Sequence, residues 1–393
     1  MTPSSAAALL ANASYWNGKA YLNTAAEGLP LEACAAAVQR YLAAKSHGEP
    51  GREQFWRTFE LAKSRAAQLF AVDSDQIALL SSTTEALNSI AHAIDWQAGD
   101  EIVFTSAEFP SNIFPWVALQ RLGVRLRIVH PQADGICVDE LLDQINERTR
   151  LVTISQVSYA TGERLDPEPI WRRVQQSNAL LCVDATQAAG RVPVDARHAD
   201  FTIASAFKWM NSIHGAAILA LSRRALADNL LGPAGWLSAE SCFASDRLET
   251  FRPRADAQRF QAGMPNFDSV YALAAALEFH TPQRVAEHAR TLAPLVGHLR
   301  RSLCELGLPV LVPEDDRRQA GIVPFAFQES AELKRRLSDS DIFVQGDDGR
   351  IRAALHWYNT AEHVEQYLAT LGRLLDESSF QRNENAASGS MRT

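Results

Sequence analysis

The chain has 393 residues, of which 47% are hydrophobic and 21% are charged. These values are ordinary for a globular protein and exclude disorder of the whole chain. Its 38 basic and 46 acidic residues give a formal charge of -8, and no run of Lys and Arg is long enough to form a nucleic-acid groove. The five cysteines show no paired spacing, which argues against a disulfide framework or a zinc site.

No segment predicts export or membrane insertion. Residues 1–13 lack a basic region at their start, and their apolar run is too short for a secretory signal. Nowhere does the chain approach the ~20 apolar residues that a membrane helix needs. We therefore expect a cytoplasmic protein that binds neither membranes nor nucleic acid.

Short apolar runs alternate with longer amphipathic runs between residues 77 and 221. Segments of helical period, such as Thr84–Ile94 and Val138–Ile145, separate runs that are typical of buried strands. This alternation predicts an α/β fold with a mainly parallel seven-stranded sheet covered by helices on both faces. The predicted strands are Ile77–Leu80, Glu101–Phe104, Leu126–Val129, Leu151–Ser155, Leu180–Val183, Phe201–Ile203 and Ala216–Ala220.

The remaining chain divides into further units. An N-terminal segment covers residues 1–20, and the large domain covers 21–280, its N-terminal part free to pack on the small domain. A smaller α+β domain covers 281–376, with strands at Val310–Val312 and Arg350–Ala353 and a closing helix at Ala361–Leu374. The polar tail 377–393 is predicted to be disordered.

Two polar residues follow neighbouring predicted strands. Asp184 closes one strand and Lys208 lies a few residues after the next, at the carboxyl ends where open α/β sheets bind ligands. An amine that forms a Schiff base and a carboxylate that keeps a pyridine nitrogen protonated would suit an aromatic aldehyde cofactor. The alternative is that Asp184 caps a turn and Lys208 is a solvated surface lysine.

A run of hydroxyl residues, Ser81–Glu85, lies between the first predicted strand and a helix. The hydroxyls and the backbone N–H groups at a helix N-terminus can hold a phosphate dianion. The alternative is an ordinary helix cap, which needs only one of the hydroxyls.

Several ordered motifs resemble the class V aminotransferase family of pyridoxal phosphate enzymes, which have fold type I. The family includes cysteine desulfurases, kynureninases and isopenicillin epimerases. The motifs are Ser82–Asn88, Gly99–Ile102, Glu108–Asn112 with Pro115–Trp116, Asp184–Gln187, Ser205–Lys208, Arg259–Pro265 and Arg352–Thr360. The resemblance covers nearly the whole chain from Tyr21 and implies a homodimer that binds pyridoxal 5'-phosphate.

The resemblance also implies roles for single residues around the cofactor. Lys208 would form the internal aldimine, Asp184 would pair with the pyridine nitrogen, and Gln187 would donate to the ring hydroxyl. Phe109 would stack on the ring, which needs only a π face. The remaining cofactor residues would hold the phosphate: Thr83, Thr84 and Ser205.

On the substrate side, Arg352 matches the family arginine that binds the α-carboxylate, a role suited to a bidentate guanidinium. The other possibility is a surface arginine on a strand. Asn23 to Gly28 resembles a segment that folds over the substrate site, which makes Asn23 a predicted substrate residue. Within it Glu27 either sets specificity or is a plain turn residue.

Some positions depart from the family pattern. Phe109 stands where a histidine is frequent, so that side chain cannot transfer a proton. The stretch 344–352 has no cysteine, which argues against the persulfide chemistry of desulfurases. Tyr159 replaces an asparagine near the ring hydroxyl, and Met264 replaces a threonine that reaches the phosphate of the partner subunit. The role of Cys242, in a loop-like segment, stays open.

The resemblance fixes the cofactor but not the reaction. We expect transamination or β-elimination of a small amino acid, with carbon–sulfur lysis favoured among the lyase reactions. An isopenicillin-epimerase-like racemase and a kynureninase-like Cβ–Cγ lyase are the enzyme alternatives. A protein that keeps the fold for binding without catalysis is the remaining alternative, and intact Lys208, Asp184 and Arg352 argue against it.

Overall fold

The computed structural model describes residues 8–228 and 230–377. Beyond Glu377, the tail that was predicted to be disordered lies outside the described residues. So do the first seven residues of the predicted N-terminal segment.

A seven-stranded sheet forms the centre of the larger unit, and it confirms the predicted α/β class. Its strands, in chain order, are β2 (Ile77–Leu80), β3 (Glu101–Thr105), β4 (Arg125–Val129), β5 (Thr149–Ser155), β6 (Leu180–Asp184), β7 (Phe201–Ser205) and β8 (Ala217–Leu221). Their spatial order is β2-β8-β7-β6-β5-β3-β4. Strands β3 to β7 run parallel, and β8 is antiparallel to both of its neighbours.

One strand of this sheet is not buried as predicted. In β4 only Val129 is buried, while Arg125, Arg127 and Ile128 are exposed. This strand lies at the edge of the sheet and pairs on one side only, so its outer faces meet solvent instead of a covering helix. The prediction of a buried strand was therefore wrong at this position, although the strand itself exists.

Helices cover the sheet because each presents an apolar stripe to it. Two long helices, Glu32–Ser46 and Arg52–Phe70, pack against a third, Phe267–Phe279, which is almost wholly buried. The helices of this unit are α1 (Glu32–Ser46), α2 (Arg52–Phe70), α3 (Thr83–Ala93), α4 (Phe114–Ala118), α5 (Val138–Asp143), α6 (Glu168–Val174), α7 (Arg223–Ala227) and α8 (Phe267–Phe279). Within the described part of the chain no helix is long and apolar enough to cross a membrane.

The smaller unit packs three helices around short strands. The helices are α9 (Pro282–Glu305), α10 (Ser330–Ser338) and α11 (Ala361–Asp376), and the strands are β9 (Ile322–Ala326), β10 (Ile342–Phe343) and β11 (Arg350–Ala354). Strand β11 pairs with β9 in antiparallel register, so that Arg352 lies opposite Pro324.

The predicted strand Val310–Val312 was wrong. Val310 makes only an isolated bridge to Phe325. Pro309 and Pro313 flank this segment and have no N–H groups to extend a ladder. The true partner of β11 is β9, which sequence reasoning did not identify because Pro324 interrupts its apolar run.

The N-terminal segment joins the smaller unit before it crosses to the larger one. Strand β1 (Ala20–Tyr21) pairs in parallel with β10, and Asn23 bridges to Ala354. Ala20 and Leu22 are buried in the core of the smaller unit with residues of α9, α10 and α11. The chain then continues past the carboxyl ends of the large sheet.

Candidate active site

A cavity of about 460 Å³ opens at the carboxyl ends of the parallel strands, between the two units. Its size lies in the range of small-molecule sites. The structure brings most of the predicted site residues together around it: Thr83, Thr84, Phe109, Asp184, Gln187, Ser205, Lys208 and Arg352. Asn23 is not among the residues that line the cavity, and its Oδ1 is buried without a hydrogen-bond partner.

One corner of the cavity carries three buried hydroxyls at the N-terminus of α3. Thr83 Oγ1 lies 2.5 Å from Ser205 Oγ and 3.1 Å from Thr186 Oγ1. Ser82 caps the helix, since its side chain accepts from Glu85 N. Converging hydroxyls at the positive end of a helix dipole suit a dianion such as a phosphate.

Thr84 lies on the exposed side of this corner. Its Oγ1 is 2.9 Å from Ser111 Oγ, a residue that also lines the cavity. Thr84 and Ser111 thus add two hydroxyls to the corner from the solvent side.

Asp184 ends β6 inside the cavity and is almost completely buried. Its Oδ1 accepts a hydrogen bond from Thr186 N at 2.8 Å. Burial raises the pKa of this carboxyl, while hydrogen bonds from Thr186 and the charge of Lys208 act in the opposite direction. A cationic N–H inside the cavity would stabilise the ionised form of Asp184.

Gln187 lines the cavity with an amide that already has protein partners. Its Oε1 accepts from Trp209 Nε1 at 2.6 Å, and its Nε2 donates to Ala25 O at 2.9 Å. Since an amide nitrogen carries two hydrogens, one N–H remains for the predicted bond to a ring hydroxyl.

Lys208 follows β7 and extends into the cavity between two aromatic rings. Its Nζ lies 5.3 Å from the centroid of Phe109 and 5.5 Å from that of Phe207. Burial, together with the charge of nearby Arg352, lowers the pKa of Lys208 to about 8, although Asp184 opposes the shift. A larger share of neutral, nucleophilic amine is therefore present near neutral pH than in an exposed lysine.

Arg352 enters the opposite wall of the cavity from β11. Its Nη1 donates to Tyr159 O at 2.9 Å, while its buried Nε has no hydrogen-bond partner. Burial lowers the pKa of Arg352 to about 10. Among the described residues no carboxylate forms a salt bridge with Arg352, so this guanidinium on the cavity wall suits a carboxylate ligand.

Tyr159 stands between Arg352 and the Phe109 ring. Its ring meets Phe109 edge-on at 5.1 Å between centroids, and the Cζ atoms of Arg350 and Arg352 lie 5.4 and 5.8 Å from its centroid. Tyr159, which stands where the family has an asparagine, thus contacts both Phe109 and Arg352.

Sequence reasoning missed part of the support beneath the site. Thr186 joins the hydroxyl corner, and its position two residues after Asp184 at a strand end was the available signal.

Glu108 is buried, and it accepts hydrogen bonds from Ser155 N (2.8 Å) and Ser155 Oγ (2.5 Å). Burial raises the pKa of Glu108 to about 7. No sequence pattern marks Glu108 as the partner of a residue so far along the chain.

The residues whose roles were left open lie at the rim or farther away. Glu27 is exposed, with an oxygen 3.3 Å from His214 Nε2. Met264 is half exposed, and Cys242 lines a separate small pocket with Trp236 and Phe251. All five cysteines fall within the described residues, and none of them lines the cavity.

Comparison with known proteins gives one family match. A sequence model described as "Aminotransferase class-V" matches residues 20–367. An uncharacterised aminotransferase, YcbU, of Bacillus subtilis (strain 168) is 29% identical over 312 residues, covering 78% of this chain and 80% of the relative. A cysteine desulfurase of Enterobacter sp. (strain 638) is 28% identical over 338 residues, covering 79% of this chain and 80% of the relative.

Solved structures share the fold. The apo structure of a cysteine desulfurase from Thermococcus onnurineus NA1 has a TM-score of 0.82 at 24% identity, covering 91% of this chain and 95% of that one. A complex of the cystine C-S lyase C-DES with its product cysteine persulfide has a TM-score of 0.83 at 21% identity, covering 91% of this chain and 98% of that one.

Proposed function

Because this chain belongs to the class V aminotransferase family, whose enzymes use pyridoxal 5'-phosphate, we propose that it is a carbon–sulfur lyase. Its substrate would be a small amino acid with sulfur on the β-carbon. The observation that carries the proposal is the placement of Lys208, Asp184 and Arg352 around one cavity that no cysteine lines in the described part of the chain. The cysteine desulfurases and the C-S lyase among the similar proteins support the choice of a sulfur substrate.

The residues of the cavity fit the cofactor. The corner formed by Thr83, Thr186 and Ser205 would hold the phosphate, together with N–H groups of α3. Buried Asp184 would pair with the protonated ring nitrogen, and Phe109 offers a ring face. When bound, the cofactor supplies an electron sink for charge that develops on the substrate α-carbon.

The protein's own groups then orient the substrate and move its proton. Arg352 would bind the α-carboxylate through its free Nε and so place the α-carbon near Lys208. Lys208, with a pKa lowered to about 8, would accept the α-proton as a neutral amine. Phe109 cannot carry a proton, so Lys208 serves as the base in this step.

The absence of cysteine from the described cavity lining bears on the fate of the sulfur. The described residues that line the cavity, Gln345 and Asp347 among them, include no thiol that could accept sulfur as a persulfide. Loss of the α-proton and of the thiolate leaves an enamine acid, which water converts to a keto acid and ammonia. We therefore expect the sulfur to leave as a free small molecule, as sulfide from cysteine and as a persulfide from cystine.

The test is to incubate the holoenzyme with cysteine, cystine and alanine and to follow keto acid, ammonia, sulfur products and optical rotation together. Keto acid, ammonia and one sulfur product in equal amounts, sulfide from cysteine or a persulfide from cystine, support the proposal, and alanine should give none of them. Lys208→Ala should abolish turnover, whereas Lys19→Ala, at a half-buried lysine paired with Asp341, should keep it.

The other reactions give different products. Keto acid without ammonia, with the cofactor converted to its amine form, would indicate transamination, which the similarity to YcbU favours. Loss of optical rotation alone would indicate an epimerase. Turnover of none of these kinds in a cofactor-loaded protein would refute the lyase.

We also propose that the protein is a cytoplasmic homodimer. The dimer is supported by the irregular stretch before α8, which exposes large apolar side chains: Phe243 is 87% exposed and Leu248 is 89% exposed. Apolar surface of this kind marks protein contacts. Sedimentation velocity should give twice the chain mass, and Phe243→Ser with Leu248→Ser should weaken association; a monomeric wild type would contradict the dimer.

A further inference from the structure

A buried asparagine, Asn211, lies directly behind the turn that carries Lys208. Its Oδ1 accepts from Trp357 Nε1 (2.9 Å) and His280 Nε2 (3.1 Å), and it shares the N–H of His356 Nε2 (2.9 Å) with Trp209 O (2.8 Å). Its Nδ2 donates to Leu29 O at 2.8 Å. One amide thus joins the N-terminal segment, the end of α8 and the smaller unit.

The orientation of this amide is fixed by its partners. The indole nitrogen of Trp357 can only donate, and the carbonyl of Leu29 can only accept, so Oδ1 and Nδ2 cannot be exchanged. His280 and His356 must therefore carry hydrogen on Nε2. Burial lowers the pKa of His280 to about 3 and that of His356 well below its usual range, which agrees with two neutral rings.

The backbone of Asn211 holds the Lys208 turn on the other side. Asn211 N donates to Lys208 O at 3.1 Å, and Asn211 O accepts from Leu31 N at 2.9 Å. The residue has a φ of 53°, in the left-handed region that asparagine tolerates better than most residues. The same turn accepts a bond from Gly28 N to Phe207 O at 3.0 Å.

We propose that Asn211 is a positioning residue, which fixes the Lys208 turn relative to the N-terminal segment and to the unit that carries Arg352. The inference rests on the proposed function, in which Lys208 is the reacting amine and Arg352 the carboxylate ligand. Asn211 does not line the cavity, so it acts through these residues and touches no reacting atom.

Few other side chains could do this. The position needs an acceptor for three buried N–H groups and a donor for a carbonyl, on a residue with positive φ. Aspartate lacks the donor, and glycine or alanine lacks both. Loss of the amide would leave the buried N–H groups of Trp357 and His280 without an acceptor, while His356 Nε2 would keep Trp209 O, so the turn should loosen.

The main variant is Asn211→Gly, since glycine keeps the left-handed backbone and removes only the side chain. Asn12→Gly is the matched control, because Asn12 has the same φ of 53° and makes no side-chain cap bond. Measurements are kcat and KM of the holoenzyme and the pH profile of cofactor addition to the full-length apo-protein.

We expect Asn211→Gly to lower kcat/KM roughly 10- to 100-fold, the effect of a misplaced reacting group. The midpoint of cofactor addition should move up by at least about 0.5 pH unit as the amine gains solvent. Asn211→Asp keeps the acceptor and loses the donor, so its kcat/KM and its midpoint of cofactor addition should lie between those of the wild type and of Asn211→Gly. Asn12→Gly should match the wild type.

The proposal would be overturned if Asn211→Gly had the kcat/KM of the wild type and the same pH midpoint of cofactor addition, even if the variant were less stable. If Asn211→Gly does not fold, Trp357→Phe removes one of the three donors, and an unchanged KM and midpoint there would overturn it equally. A wild type that fails to combine with the cofactor would instead refute the proposed function.

Discussion

Burial and three charged groups act on the amine of Lys208. Burial and the positive charge of Arg352 lower its pKa to about 8, from the usual 10.5, while Asp184 and Glu27 oppose the shift. Because only the neutral amine attacks an aldehyde, cofactor addition to the apo-protein should rise about tenfold per pH unit up to about pH 8 and then level off. Stopped-flow absorbance measures this rate, and a profile that rises to pH 10 would contradict the lowered pKa.

Arg352 allows a second test at the same scale. Arg352→Gln removes a positive charge near Lys208, so the midpoint of the profile should move to higher pH. The KM for the amino acid should rise about 10- to 100-fold, as expected for a lost charged hydrogen bond. Arg350→Gln, two residues away on β11 at a side chain paired with Asp348, should change both quantities much less; equal effects would refute the carboxylate role.

The residues around the cavity differed in how far the sequence could predict them. Lys208, Asp184 and Ser205 follow apolar strands, so topology and family motifs both point to the same crevice. Asn23 shares a motif with the segment over the site, but its backbone bridge to Ala354 turns it away from the cavity lining. Glu108 acts through contacts with Ser155 on a distant strand, which no local pattern encodes.

The segment between β1 and α1 passes unusually close to the Lys208 turn. A Cβ on Gly28 would lie 1.9 Å from Lys208 O and 2.7 Å from Phe207 O. Since both are backbone atoms, Gly28→Ala must displace the segment or the turn. We expect a loss of about 1–3 kcal/mol in the free energy of unfolding, with a clear fall in kcat/KM. Denaturant unfolding and kinetics measure the two effects.

Gly372→Ala is the control for this substitution. A Cβ there meets only Leu306 at 4.0 Å, and Gly372 lies within α11. Alanine should leave activity unchanged and raise stability by about 0.5–1 kcal/mol. If Gly28→Ala behaved like Gly372→Ala, the close approach would have no consequence for the site.

Elements were predicted well where hydrophobic pattern alone decides them. The strands of the large sheet other than β4 lie within a few residues of their predicted bounds, because burial on both faces produces continuous apolar runs. The exposed strand β4 and the amphipathic helix α11 also lie close to their predicted bounds. Prediction was wrong where chain context overrides pattern. Val310–Val312 lies between two prolines, and β9 contains one, so the apolar composition of each segment misleads about its pairing.

The two units are joined by a buried charge. Glu163 has a fully buried side chain that pairs with Arg318, and Glu163 Oε2 accepts from Ile136 N at 2.9 Å. Arg318→Ala would leave this carboxylate buried without its partner and should cost about 3 kcal/mol. Thermal unfolding measures the loss.

Arg317→Ala is the matched control, since Arg317 is exposed and pairs locally with Asp315. This change should leave the melting temperature almost unaltered. Similar shifts in the two variants would show that the contact between Glu163 and Arg318 does not hold the units together.

The pairing of β1 with β10 also bears on how the molecule is made. Ala20 finds its partner Ile342 only after β10 has left the ribosome, long after β1 itself. Until then β1 has no strand to pair with. A nascent chain can thus complete its large sheet before the cavity has its second wall, because Gln345 and Arg352 are synthesised after all seven strands of that sheet.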